Sequence, residues 1–99
     1  MLNKEDIIRF LIKHKQFLKS NYHLNKIGIF GSFVRDEQKE NSDIDFLVEF
    51  EKDTECLFEI KFELKKFLQS SFDRNVDICR EKYLKPYIRN YILKETLYA

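Results

Sequence analysis

Asp43 and Asp45 stand two residues apart in Ser42-Asp43-Ile44-Asp45-Phe46-Leu47-Val48, and a third aspartate, Asp77, sits between Val76 and Ile78. Ionised carboxylates offer only acceptor oxygens, so a set of them suits a hard divalent cation such as Mg²⁺. In an extended strand, residues i and i+2 leave the same face. Asp43 and Asp45 therefore project together, while Ile44, Phe46 and Val48 project to the other side. If Val76 and Ile78 point into a core, Asp77 points out. Pairing of the two strands then brings three carboxylates to one side of a sheet. Such a cluster repels itself and raises its members' pKa values unless a cation neutralises it. A bare DxD pair matches by chance more often than it marks a site, and the ordinary alternative is a turn aspartate beside two surface ones.

Gly31-Ser32 follows the apolar run Lys26-Ile27-Gly28-Ile29-Phe30. A glycine at the end of a buried strand permits a tight turn and a close backbone approach to a ligand. If a helix starts at Ser32, its free N–H groups and the Ser32 hydroxyl form an anion site. The alternative is a strand end and a helix cap. Arg35, one helical turn beyond Ser32, has two readings: it binds a phosphate or braces the acidic loop, or it is an exposed arginine or an ion-pair partner of a carboxylate. Ser42 is placed to hydrogen-bond the turn that presents Asp43.

These residues need a frame. Asn3 caps a first helix that runs to about Ser20, with Glu5 and Asp6 in its first turn and Ile7, Phe10, Leu11, Phe17 and Leu18 at helical spacing. Residues 21–25 read as a loop, 26–30 as a buried strand, 32–35 as the start of a short helix, and Asp36 to Asn41 as an exposed loop. Asp43 to Phe50 alternates as a second strand. A long helix opens at Asp53 or Thr54 and ends near Ser71, with Leu57, Ile60, Leu64, Phe67 and Leu68 as its core stripe. Val76 to Cys79 is a third strand. The last helix begins near Leu84, with Pro86 in its first turn, and ends near Glu95. The order predicts an α/β (α+β) domain, a small mixed sheet with helices packed on it.

The chain has 99 residues, of which 43% are hydrophobic, which fits one domain over 1–99 and leaves no room for two. Charged residues reach 35% but the net charge is +1, so the balance gives no support to direct nucleic-acid binding. Cys56 and Cys79 lack zinc spacing and are expected to stay reduced. The N-terminus lacks a signal-peptide pattern, and no apolar run reaches the roughly 20 residues needed to cross a bilayer, so a soluble, cytoplasmic protein is expected. His14 and His23 have no acid or thiol near them in sequence. Tyr83, Tyr87, Tyr91 and Tyr98 are expected to pack in the core or face a partner.

Taken together, Gly31-Ser32-Phe33-Val34-Arg35, Ser42-Asp43-Ile44-Asp45-Phe46-Leu47-Val48 and Val76-Asp77-Ile78 resemble the signature of the DNA polymerase β-like nucleotidyltransferase superfamily. The short length and the N-terminal helix resemble its minimal (MNT-domain) branch. The resemblance implies that Gly31 and Ser32 hold phosphates, joined by Arg35 in one of its two readings. It implies that Asp43, Asp45 and Asp77 bind two Mg²⁺ ions, and that ATP is the donor. It further implies an antitoxin that transfers AMP to a tyrosine of a HEPN-domain toxin. Two other readings stay open: an antitoxin that acts by binding alone, and a nucleotidyltransferase for a small molecule or an RNA end. Many relatives carry glycine after the arginine, where this chain has Asp36, which places an extra negative charge near a triphosphate.

Overall fold

Asn3 opens the first helix with a reciprocal cap: the Asp6 N–H donates to Asn3 Oδ1 at 2.9 Å, and the Asn3 N–H donates to Asp6 Oδ2 at 3.3 Å. A computed structural model describes residues 1–99. The expected single helix to Ser20 is two helices, α1 (Lys4–Lys13) and α2 (Lys15–Tyr22), broken at His14. There the backbone leaves helical geometry at φ −103°, ψ 15°, and His14 Nδ1 lies 2.9 Å from the Phe10 carbonyl oxygen. The imidazole stacks on the Phe10 ring at 4.1 Å, so His14 has a packing role.

The strands are β1 (Leu24–Phe30), β2 (Ile44–Phe50), β3 (Val76–Arg80) and a two-residue β4 (Leu97–Tyr98). They form one sheet in the order β3-β2-β1-β4, with β2 and β3 parallel and the other pairs antiparallel. The mixed sheet agrees with the sequence reading, except that β4 was not foreseen. β1 also begins earlier than expected, because residues 21–25 divide between the end of α2, a left-handed His23 and the strand.

Helix α3 (Leu57–Phe72) crosses between β2 and β3. It starts later than Asp53 or Thr54 because Asp53 and Cys56 both adopt left-handed backbone and the Thr54 hydroxyl turns back to the Glu51 carbonyl. The last helix, α4 (Pro86–Glu95), starts at its proline, since the residue before a proline is held in extended backbone; Lys85 has ψ 140°. The short helix expected at 32–35 is a single 3-10 turn, Gly31–Phe33.

One face of the sheet carries the core. Ile29, Ile44, Phe46, Val48, Val76 and Ile78 pack with Ile7 and Leu11 of α1, Leu18 of α2, and Leu64 and Leu68 of α3. Strand parity sends Asp45, Leu47, Asp77 and Cys79 to the opposite face. Gly28 lets β4 approach there: a Cβ on it would lie 2.6 Å from the Leu97 carbonyl oxygen. Tyr83, Tyr87 and Tyr91 are exposed, Tyr87 to 83%, so they are not core residues. No helix is long and apolar enough to cross a membrane.

Candidate active site

The parallel pairing of β2 with β3 sets Asp45 directly opposite Asp77. Val76 and Ile78 are buried and Asp77 is exposed, as the alternation requires. Asp43 precedes the first residue of β2 and is exposed. Its approach is fixed by a small turn in which the Lys39 N–H donates to Ser42 Oγ at 2.7 Å and the Ser42 N–H donates to the Lys39 carbonyl at 3.1 Å. Ser42 therefore has the structural role expected of it.

The turn Gly31–Phe33 meets the same carboxylates. β1 and β2 pair Phe30 with Asp45, so Gly31 emerges beside that aspartate. Its φ of +80° is a left-handed value that glycine adopts without cost, and a Cβ there would collide with the Asp45 carboxylate. No other residue satisfies both conditions. Ser32 follows, half-buried. The sequence signals at 31–32, 43–45 and 77 thus converge on one end of the sheet.

Electrostatics record the crowding. Burial first, then the charges of Asp77 and Asp43, push the Asp45 carboxyl up to about 6, with Arg35 opposing and Glu95 adding to the rise. The Cys79 thiol, half-buried on the same face, is pushed up by burial and then by Asp45 and Asp77, which keeps it protonated. No group of three His, Cys, Asp or Glu side chains stands in closed coordinating geometry. The donor set still fits a hard cation: it is all carboxylate, two of its members face each other across adjacent strands, and burial together with the neighbouring aspartates raises the pKa of one of them.

Arg35 is paired with two carboxylates: its Nη1 donates to Glu95 Oε1 at 2.9 Å and Oε2 at 3.1 Å, and its Nε donates to Glu37 Oε1 at 2.7 Å. Asp36 has φ +56°. Its carboxylate is paired with Lys4 Nζ at 2.9 Å, which offsets the extra charge.

Two neighbours of the site had no signal of their own in the sequence. Glu95, at the end of α4, accepts the Gly31 N–H at 2.7 Å and lies 64 residues away along the chain. Arg74, in the turn before β3, donates to the Ser42 carbonyl at 2.9 Å while its guanidinium lies 5.2 Å from the Phe33 ring centroid. It thereby ties the Gly31–Phe33 turn to the approach of Asp43, and its buried Nε has no hydrogen-bond partner. Arg74 is only three residues before Asp77, but nothing in that spacing announces the contact.

A cleft of about 710 Å³ lies elsewhere, at the far ends of β2 and β3, between Glu49, Lys52, Asp53, Arg80, Lys82 and Arg89. Its charges answer one another. Arg80 pairs with Glu49 at 2.9 Å and Arg89 with Glu81 at 3.5 Å. It contains none of Gly31, Ser32, Arg35, Asp43, Asp45 and Asp77.

Residues 11–99 match the family described as the nucleotidyltransferase domain. The chain is 39% identical over 100 residues to the protein adenylyltransferase MntA of Thermococcus cleftensis, an alignment covering 100% of this chain and 98% of that protein. A solved structure provisionally described as a minimal nucleotidyltransferase superposes with a TM-score of 0.77 at 29% identity, over 97% of this chain and 95% of its own. A chain from a toxin-antitoxin crystal structure with AMP-PNP superposes with a TM-score of 0.68 at 26% identity, over 98% of this chain and 72% of that one. With a glycine-serine turn set against facing aspartates, and with a match that runs from residue 11 to residue 99, the chain belongs to the nucleotidyltransferase-domain family.

Proposed function

We propose that this chain is the antitoxin of a toxin-antitoxin pair and transfers AMP from ATP to a tyrosine hydroxyl of a HEPN-class toxin, releasing pyrophosphate. The observation that carries the reading is the pairing of Asp45 with Asp77 next to Gly31, which sets carboxylates and a close-approach turn on one face. The name of the Thermococcus relative supports protein adenylyl transfer. The AMP-PNP complex of the toxin-antitoxin relative supports ATP as donor and a toxin as partner. The HEPN class of that partner rests on the family resemblance.

Asp43, Asp45 and Asp77 would hold Mg²⁺. When bound, the metal would supply positive charge for the phosphates and lower the pKa of the attacking hydroxyl. The chain's own contribution is placement. Gly31 keeps the backbone low enough for a triphosphate to approach Asp45, and the Ser32 hydroxyl is the side-chain donor beside it. The exposed edge at Asp77 admits a hydroxyl carried by another protein. In the transfer, the tyrosine oxygen bonds to the α-phosphorus, the bond to the α–β bridging oxygen breaks, and the hydroxyl proton is lost to solvent. Holding the reactants in line accounts for much of the acceleration such a site can give.

The test is incubation of the chain with labelled ATP, Mg²⁺ and the HEPN protein. Label on a partner tyrosine that disappears in Asp43→Asn and Asp45→Asn is the expected result. Neutralisation of the toxin that survives both substitutions would replace catalysis with inhibition by binding. Label confined to RNA or a small molecule would replace the acceptor.

A further inference from the structure

Glu95 occupies an unusual place. Its carboxylate is only 14% exposed, yet it has no partner on its own helix. Oε2 accepts the Gly31 N–H at 2.7 Å and Arg35 Nη1 at 3.1 Å, and Oε1 accepts Arg35 Nη1 at 2.9 Å. The Gly31 N–H and the Arg35 guanidinium are the donors that a phosphate would otherwise be expected to use, and both are engaged. Arg35 Nε is also bonded to Glu37, so two carboxylates face one guanidinium.

Glu95 is itself held from both sides. The Thr96 N–H and hydroxyl both bond to the Ile92 carbonyl, closing the end of α4. Immediately beyond, Leu97 and Tyr98 pair with Ile29 and Gly28, and the Ala99 N–H bonds to the Ile27 carbonyl at 3.0 Å. The carboxylate is thus anchored by the strand that leads into Gly31. Gly31 in turn touches Asp45 so closely that no Cβ fits between them. A shift of Glu95 would move the turn, and a shift of the turn would change its distance to the metal-binding carboxylates.

We infer that Glu95 is a positioning residue: it grips Gly31 and Arg35 as one unit, setting the height of the Gly31-Ser32 turn over Asp45, and leaves the Ser32 hydroxyl as the side chain that meets the nucleotide. The inference rests on the nucleotidyltransferase reading and changes the role of Arg35 within it, from phosphate ligand to brace. Glu95 and Arg35 then act through each other, and their removal is not additive.

The experiment measures binding of AMP-PNP with Mg²⁺ by calorimetry, and KM and kcat for AMP transfer. The proteins are the full chain and its Glu95→Ala, Glu95→Gln, Arg35→Ala, Ser32→Ala and Glu95→Ala/Arg35→Ala variants. The Gly31 amide resonance reports the turn directly. Losing a hydrogen bond to a charged group corresponds to about tenfold in affinity. Glu95→Ala and Arg35→Ala should each weaken AMP-PNP by about that factor, and the double variant should be no weaker than either. Glu95→Gln, which keeps an acceptor for Gly31, should fall between wild type and Glu95→Ala and keep the fold if Glu95→Ala does not. The Gly31 amide should shift in Glu95→Ala and less in Glu95→Gln. Additive losses, or a larger loss in Arg35→Ala than in Glu95→Ala, would return Arg35 to the phosphate. Tighter binding in Glu95→Ala would make Glu95 an internal competitor instead. Binding by wild type that no Glu95 variant alters sinks the brace alone, whereas a wild-type chain that binds no AMP-PNP sinks the nucleotidyltransferase reading with it.

Discussion

Asp45 is pushed up to about 6, against 3.8 for an isolated side chain, by burial and by the two aspartates near it. Its folded pKa lies above its unfolded one, so between those values the native chain binds more protons than the unfolded chain. Stability from this group is therefore full below the unfolded value and is lost as pH rises towards 6. The shift would correspond to about 3 kcal/mol, but Asp45 is only half buried, and solvent screening reduces it to about 1–2 kcal/mol. In metal-free buffer, Asp45→Asn should be more stable than wild type at pH 7 by about that amount, and the difference should vanish near pH 4. Urea melts at the two pH values measure it, and an unchanged difference would show that Asp45 titrates normally. The same substitution should abolish AMP transfer.

Asp36 poses a second residue-scale question. A left-handed backbone costs most residues about 1–2 kcal/mol, and less for aspartate, so glycine suits φ +56° better. Against that, Asp36→Gly loses the Lys4 ion pair, which is largely exposed on the aspartate side and so contributes little, and gains unfolded-state freedom. The variant should match wild type within about 1 kcal/mol and transfer AMP at a similar rate. A marked gain in transfer would mean that the aspartate charge reaches the nucleotide despite Lys4.

Among the elements, β2 and β3 were legible because Ile44, Phe46, Val48, Val76 and Ile78 keep one face apolar while Asp45 and Asp77 fall on the other, despite Leu47 and Cys79 there. Parity alone then placed Asp45 and Asp77 on one side, and only their pairing, Asp45 opposite Asp77, had to be supplied by the fold. The helix break at His14 was not legible, since the apolar spacing from Ile7 to Leu18 continues across it, and the contact of His14 with the Phe10 carbonyl has no sequence signal. β4 was missed because two residues show no period. Glu95 was missed with it: its partners lie 60 and 64 residues away, and a glutamate at a helix end looks like any solvated charge.

Gly28 is the one sign of β4 in the sequence, a glycine inside an apolar strand, where it marks close backbone approach. Gly28→Val should dislodge β4, since even a Cβ would lie 2.6 Å from the Leu97 carbonyl and 3.0 Å from the Tyr98 ring. Hydrogen exchange at the Ala99 amide, which bonds to Ile27, should accelerate at least tenfold, and AMP-PNP binding should weaken as Glu95 loosens. Unchanged exchange would mean that β4 is held by contacts other than this pairing.

At the scale of the whole molecule, a chain of 99 residues has a small core and so a small reserve of stability. Its one extensive hydrophobic cluster lies on the helical face of the sheet, whereas the other face gathers Asp43, Asp45 and Asp77, whose charges Arg35 offsets only in part because it is already paired with Glu37 and Glu95. The site therefore weakens the fold it depends on, and a cation that binds only the folded chain should reverse this. At about 100 times its dissociation constant, such a ligand adds about 2.7 kcal/mol, which for a domain of this size raises the melting temperature by roughly 10 °C or more. Mg²⁺ should accordingly raise the melting point of wild type at pH 7.5 and a chelator should remove the gain. Asp45→Asn should start from a higher melting point and gain little from Mg²⁺, because it has lost both the repulsion and a ligand. Equal gains in wild type and Asp45→Asn would place the ion elsewhere on the surface and detach the carboxylate cluster from metal binding.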